Sequence, residues 1–138
     1  MGGDKAGQPK IFVDSNVVLN LLSADDAKAD RSEALLGKRP TISVQVLNEV
    51  ASVCQHQLKM SWREVGQFLD DVTALCHVTS MTLEAHSLAQ KFAERYGLAF
   101  RDACIVATAT IEGCGSLYTQ DMNGYIQDVS LALKDPFV

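Results

Sequence analysis

The stretch "KIFVDSNVVLNLLS", Lys10 to Ser23, decides how the rest of the chain is read. Ile11, Phe12 and Val13 make a short apolar run of the kind that a strand buried on both faces shows. The run stops at Asp14, Ser15 and Asn16, then turns apolar again in "VVLNLLS", which reads as a first helix. A carboxylate at the buried end of a strand is costly unless a bound ion or a paired group compensates it. Asp14 is therefore a candidate site residue as well as a candidate cap for the helix that follows it.

Working outward, the apolar segments alternate in type. "ADDAKADRSEALLGKR" predicts a second helix ending near Gly37, and "PTISV" a short strand. In "VQVLNEVASVCQHQL", Leu47, Val50, Cys54 and Leu58 fall at helical spacing. Ser61 and Glu64 fit a capping box, ahead of an apolar stripe of Trp62, Val65, Phe68, Leu69, Val72 and Leu75. "LCHVTSM" reads as a strand, and "TLEAHSLAQKFAERYG" as an amphipathic helix closed by Gly97. "FRDACIVATATIEG" is apolar on most sides, which predicts a central helix closed by Gly113. "SLYT" and "VSLAL" read as the last strands. Five short strands separated by helices predict an α/β sandwich around a mostly parallel sheet. Such sheets bind ligands outside the carboxyl ends of their strands.

The chain's 138 residues suit one domain with a sizeable core, expected over residues 10–138 behind a flexible lead at residues 1–9. No apolar run is long enough to predict a membrane span, and the first residues lack the apolar segment of a secretory signal. The expected location is the cytoplasm. Cys54, Cys76 and Cys104 sit among apolar residues, as reduced cysteines acting as small hydrophobes do. Cys114, in a Gly-rich turn, is expected to be the more exposed one. No cysteine pair has metal-ligand spacing. The net charge of −5, with no basic run longer than Lys38-Arg39, argues against a protein that coats nucleic acid. It leaves room for an enzyme that handles nucleic acid through a metal site.

Four acids stand where the chemistry of such a site would need them. Asp14 follows the first strand, and Asp121 follows "LYT" by two residues. Asp102 lies in the first turn of the central helix, and Glu49 interrupts an apolar helix between Val46, Val50 and Val53. Taken singly, each has a plain structural role. Asp14 can cap a helix, Asp102 can complement a helix dipole, Glu49 can sit on a solvated flank and Asp121 can form a turn ahead of Asn123-Gly124. Taken together, converging carboxylates repel one another and call for a cation. Hard divalent ions such as Mg²⁺ favour such oxygen ligands and lower the pKa of an attacking water.

"FVDSNVVLNLL", "ISVQVLNEV", "LAFRDACIVATATIEGC" and "LYTQDMNG" resemble, in order and character, the four acidic blocks of PIN-domain nucleases. The likeness extends over nearly the whole chain and is nearest to the small VapC-type toxins of bacterial toxin–antitoxin pairs. It implies a three-layer α/β/α sandwich around a parallel sheet of about five strands. It also implies a Mg²⁺- or Mn²⁺-dependent ribonuclease, a cognate antitoxin and a homodimer. Asp14, Glu49, Asp102 and Asp121 match the catalytic and metal-binding acids of the family. Asn16 matches the polar residue that supports the first of them, and Thr119 the small hydroxyl residue before the last. Arg101 stands where related sequences often carry an aromatic residue; it would contact substrate phosphate or, by slight preference, pair with a nearby acid. Gln120 stands where a glutamate is common, so one peripheral ligand of the pattern is missing. The exposed helix positions around Trp62 and Leu22 are candidates for the dimer contact.

Other readings fit less well. A phosphoacceptor regulator would need an aspartate ending its third strand, and "CHVTSM" has none. A haloacid-dehalogenase-like phosphatase would need a second aspartate at position 16, which is Asn16. A PIN nuclease outside any toxin pair and a catalytically silent binding module both remain as alternatives.

Overall fold

The computed structural model describes residues 10–122, 126 and 130–138. The lead expected over residues 1–9 and the turn at Asn123-Gly124 lie outside them. In chain order the elements are β1 (Ile11–Val13), α1 (Ser15–Leu19), α2 (Asp26–Leu36), β2 (Thr41–Ser43), α3 (Val44–His56) and α4 (Trp62–Leu75). There follow β3 (His77–Thr79), α5 (Leu83–Tyr96), α6 (Phe100–Ile111), β4 (Ser116–Tyr118) and β5 (Ala132–Lys134). The strands form one sheet in the order β3-β2-β1-β4-β5, with every neighbouring pair parallel. The fold is thus the expected α/β sandwich.

This order fixes where a site can form. From β1 the chain steps outward to β2 and β3, then returns across β1 to β4 and β5. Right-handed crossovers put α1 to α4 on one face of the sheet and α5 and α6 on the other. The packing follows suit: α1 meets α3, α3 meets α4, and α5 meets α6. The direction of travel reverses between β1 and β4, which makes their carboxyl ends the topological switch point. Asp14 leaves β1 at that point, and its amide donates to the Tyr118 carbonyl oxygen at the end of β4 (3.0 Å).

The core runs through the sheet's centre. Phe12, Val13, Ile42 and Leu117 are fully buried, as are Val17 and Val18 from α1 and Ile105 from α6. Every residue of α6 from Ala103 to Ala109 is buried, so "apolar on most sides" did identify a central helix. Its alanines let the helix lie close to its neighbours. Burying one side chain the size of Ile42 or Phe12 contributes roughly 1.5–3 kcal/mol.

Local chemistry sets the helix ends. The capping box of α4 forms as expected: Ser61 Oγ accepts from the Glu64 amide (3.1 Å), and Glu64 Oε1 from the Ser61 amide (2.8 Å). Gly97 ends α5 with φ +68°, a left-handed conformation that costs glycine little. Four expectations fail in detail. The first helix is short, continuing as a 3-10 turn over Asn20–Leu22. Leu58 falls beyond the end of α3 and is exposed. Trp62 is 66% exposed and Leu75 is also exposed, so α4 buries only the middle of its stripe. Cys114 is buried like the other three free cysteines, because its turn closes back on α6, its amide donating to the Ala109 carbonyl oxygen at 3.0 Å.

Candidate active site

Asp14 is 0% exposed, and five groups satisfy its carboxylate. As N-cap of α1 its Oδ1 accepts from the Ser15 amide at 2.7 Å, which stabilises the helix start. Oδ2 accepts from Thr119 Oγ1 at 2.9 Å, and at the limit of range from Asn16 Nδ2 (3.5 Å). Ser15 Oγ lies 3.5 Å from Oδ1. The fifth partner is charged: Arg101 donates from Nη2 to Oδ1 at 2.6 Å and from Nη1 to Oδ2 at 3.1 Å. Asp14 is therefore both the helix cap and the ion-pair partner that the sequence left as alternatives.

Arg101, on the first turn of α6, gathers two more acids. Its Nε donates to Glu49 Oε2 at 2.8 Å and its Nη2 to Glu49 Oε1 at 2.5 Å. Its Nη1 donates to Asp102 Oδ1 at 2.9 Å, and its Nη2 also donates to Ser15 Oγ at 3.0 Å. Glu49 comes from the middle of α3, whose start is fixed by Ser43 Oγ accepting from the Val46 amide. Burial by itself would lower the guanidinium's pKa. The hydrogen bonds to Glu49 and Asp14, the charge of Asp14 and the hydrogen bond to Asp102 outweigh that and raise it further above an already high value. Arg101 is a permanent cation here.

Asp121 joins through neutral groups. Asn16 Nδ2 donates to Asp121 Oδ2 and to Thr119 Oγ1, each at 3.2 Å, and Asn16 Oδ1 accepts from the Gln120 amide at 2.9 Å. The Asp121 amide donates to Thr119 Oγ1 at 3.3 Å. Asn16 and Thr119 thus tie the loop after β4 to the end of β1. Gln120 turns the other way and accepts from Asn20 Nδ2 at 3.3 Å.

Two contributors escaped the sequence reading. Gln45 Nε2 donates to the Arg101 carbonyl oxygen at 3.2 Å, and Asn20 Nδ2 to the Asn16 carbonyl oxygen at 2.9 Å. Each lies one helical turn from a residue already singled out, Glu49 and Asn16, and that spacing was the available signal. Beside Glu49 an open groove of about 540 Å³ is lined by Val44, Gln45, Asn48, Glu49, Ser80 and Met81.

The donor set is all oxygen and carries more acid than the one guanidinium neutralises. That chemistry suits a hard divalent cation and gives a softer, nitrogen- or sulfur-seeking ion no ligand. Asp14 Oδ1 and Glu49 Oε1 touch the same Arg101 nitrogen, so they are already held near one point. Among the described residues, no three His, Cys, Asp or Glu side chains are grouped closely enough to hold an ion as they stand. The carboxylates converge on the guanidinium instead.

Among known families, the PIN domain matches residues 11–129. Solved structures share the fold at low sequence identity. The toxin–antitoxin complex from Klebsiella pneumoniae superposes with a TM-score of 0.70 at 17% identity, over 92% of this chain and 98% of that one. VapC20 of Mycobacterium tuberculosis, a toxin described as cleaving the sarcin-ricin loop, gives 0.65 at 21% identity, over 81% of this chain and 90% of that one. The DNA-bound VapBC of Salmonella typhimurium gives 0.66 at 15% identity, over 91% and 98%. No curated protein matches the sequence.

Proposed function

The chain belongs to the PIN domain family, and on that premise we propose that it is a divalent-metal-dependent endoribonuclease, the toxin of a toxin–antitoxin pair. The observation that carries this reading is the convergence of Asp14, Glu49 and Asp102 on one cation at the switch point, with Asp121 tied alongside. Mg²⁺ or Mn²⁺ held there would activate a water and neutralise charge on the phosphodiester.

The chain's own residues divide the remaining work. Asp14, Glu49 and Asp102 would hold the ion, some of them through water. Asp121, the most exposed of the four, would complete the cage or orient the attacking water. Asn16 and Thr119 fix the separation of Asp14 and Asp121, the outer support that tunes a metal site. Among the described residues no histidine or cysteine is bonded to the acids, and on this reading hydrolysis would use a water as nucleophile, with no covalent intermediate.

The solved relatives that are toxin–antitoxin complexes support an antitoxin partner for this chain. A homodimer using the exposed Trp62 and Leu22, and a cytoplasmic location, belong to the same reading. Among the described residues no helix is long and apolar enough to cross a membrane.

The test is cleavage of a total-RNA and transfer-RNA panel with Mg²⁺ or Mn²⁺, then with EDTA, alongside folded Asp14→Asn and Asp102→Asn variants. Discrete metal-dependent cleavage that both variants lose is the expected result. Cleavage that persists in EDTA or in both variants overturns the reading. The occupation of the acids by Arg101 favours one second reading, a catalytically silent binding module. No cleavage, with no thermal stabilisation by metal, would favour that instead.

A further inference from the structure

We infer that Arg101 is a built-in competitor of the divalent cation: it occupies the carboxylates as an internal counter-ion and must leave them before a metal can bind. The inference rests on the metal-site reading above and specifies how that site is gated. Through three nitrogens Arg101 bonds both oxygens of Asp14, both of Glu49 and one of Asp102. These are the oxygens that Mg²⁺ or Mn²⁺ would require at shorter distances. A guanidinium and a divalent ion cannot share them, because two cations at such separation repel strongly in a half-buried site.

The structure also provides for the exchange. Asp14 is wholly enclosed, whereas the Arg101 side chain is 35% exposed and stands at the rim. The Gln45 side chain holds the Arg101 carbonyl oxygen, and Ala103 starts the buried run of α6 two residues later. The backbone is thus anchored while the side chain retains a path to solvent. Two states follow, a closed one with guanidinium on the acids and an open one competent for metal. The apparent metal affinity is the intrinsic one reduced by the open fraction.

Calorimetric titration of Mn²⁺ into the full chain tests this without any measurement of cleavage. Arg101→Gln removes the competitor, and its Kd for Mn²⁺ should fall at least about ten-fold below that of the native chain. Arg101→Lys should lie between them, since an ammonium is a point charge that cannot span three carboxylates. The gain in Tm on adding Mn²⁺ should be larger for Arg101→Gln than for the native chain. A native chain that binds Mn²⁺ as tightly as Arg101→Gln, or more tightly, overturns the inference and leaves the nuclease reading standing. If neither binds Mn²⁺, both fall.

A measurement on the native chain guards against a variant that fails to fold. The Nε–H resonance of Arg101 should be protected from solvent exchange without metal and lose that protection at saturating Mg²⁺. Unchanged protection overturns the inference.

Discussion

The two ends of the parallel sheet carry contrasting arrangements of charge. At the carboxyl end one guanidinium is surrounded by Asp14, Glu49 and Asp102, with Asp121 close by. At the amino end Glu112, between α6 and β4, finds partners for both its main chain and its carboxylate. Lys10 Nζ donates to its carbonyl oxygen at 2.7 Å, Thr79 Oγ1 donates to its Oε2 at 2.8 Å, and exposed His77 stands 3.8 Å from its Oε1. The amino end is satisfied by its own side chains, as a structural cluster is. The carboxyl end has an excess of acid, some of it enclosed, which is what a group built to receive something else has. Position along the strands, rather than the mere presence of charge, separates the two arrangements.

The largest effect that could break this contrast is on cleavage. Asp14→Asn keeps the side chain's shape and removes its charge, and should lower the metal-dependent rate by at least about a hundred-fold, beyond the usual cost of an outer-support mutation. Initial rates on cleaved RNA, with folding checked by circular dichroism, measure it. A rate close to the native one would make the carboxyl end as structural as the amino end. Asn16→Ala leaves all four acids but unties Asp121 from Asp14, and a loss of roughly 10–100-fold is expected in the same assay.

The amino end should respond in stability instead. Cys76, just ahead of β3, has its thiol pushed up to about 11 by burial, which outweighs the lowering effect of Arg39. The folded chain therefore keeps a proton that the unfolded chain releases above about 9.0. Its contribution is fully present below that pH and is lost as the pH rises towards about 11, to a total of roughly 2–3 kcal/mol. Urea unfolding across that interval checks it, with Cys76→Ala as the variant whose stability should fall less steeply. The smallest effect is that of Glu112→Gln. An amide still accepts from Thr79, so less than about 1 kcal/mol should be lost and the cleavage rate should not change.

The contrast between the ends also shows what the sequence could reveal. Strand ends are local features: "IFVD" and "LYTQD" announce where β1 and β4 stop, and the parallel sheet then places both acids on one rim. The α4 capping box and the Gly97 turn are equally local, and both form as read. Packing between distant segments is not local. Whether Trp62 finds a neighbour depends on the reach of α3, and the burial of Cys114 depends on how α6 meets β4. The role of Arg101 is the clearest case. Its partners Asp14 and Glu49 lie 87 and 52 residues away, so no window of sequence displays the triad it bridges. The family's acidic positions, and a pairing of Arg101 with a nearby acid, can be read off the sequence, but which three acids it joins emerges only from the fold.

Because β1 pairs with β4 across most of the chain, the order in which the molecule is made has a consequence. Asp14 is synthesised ahead of its supports: the strand beside it and Thr119, which fixes it, come more than a hundred residues later. Contacts of such separation form late in folding. A nascent chain still on its ribosome holds Asp14 and Asp121 on unconnected segments until β4 has emerged. Assembly from two distant segments thus orders events in time: Asp14 gains its strand partner and its Thr119 hydrogen bond only after β4 has been made.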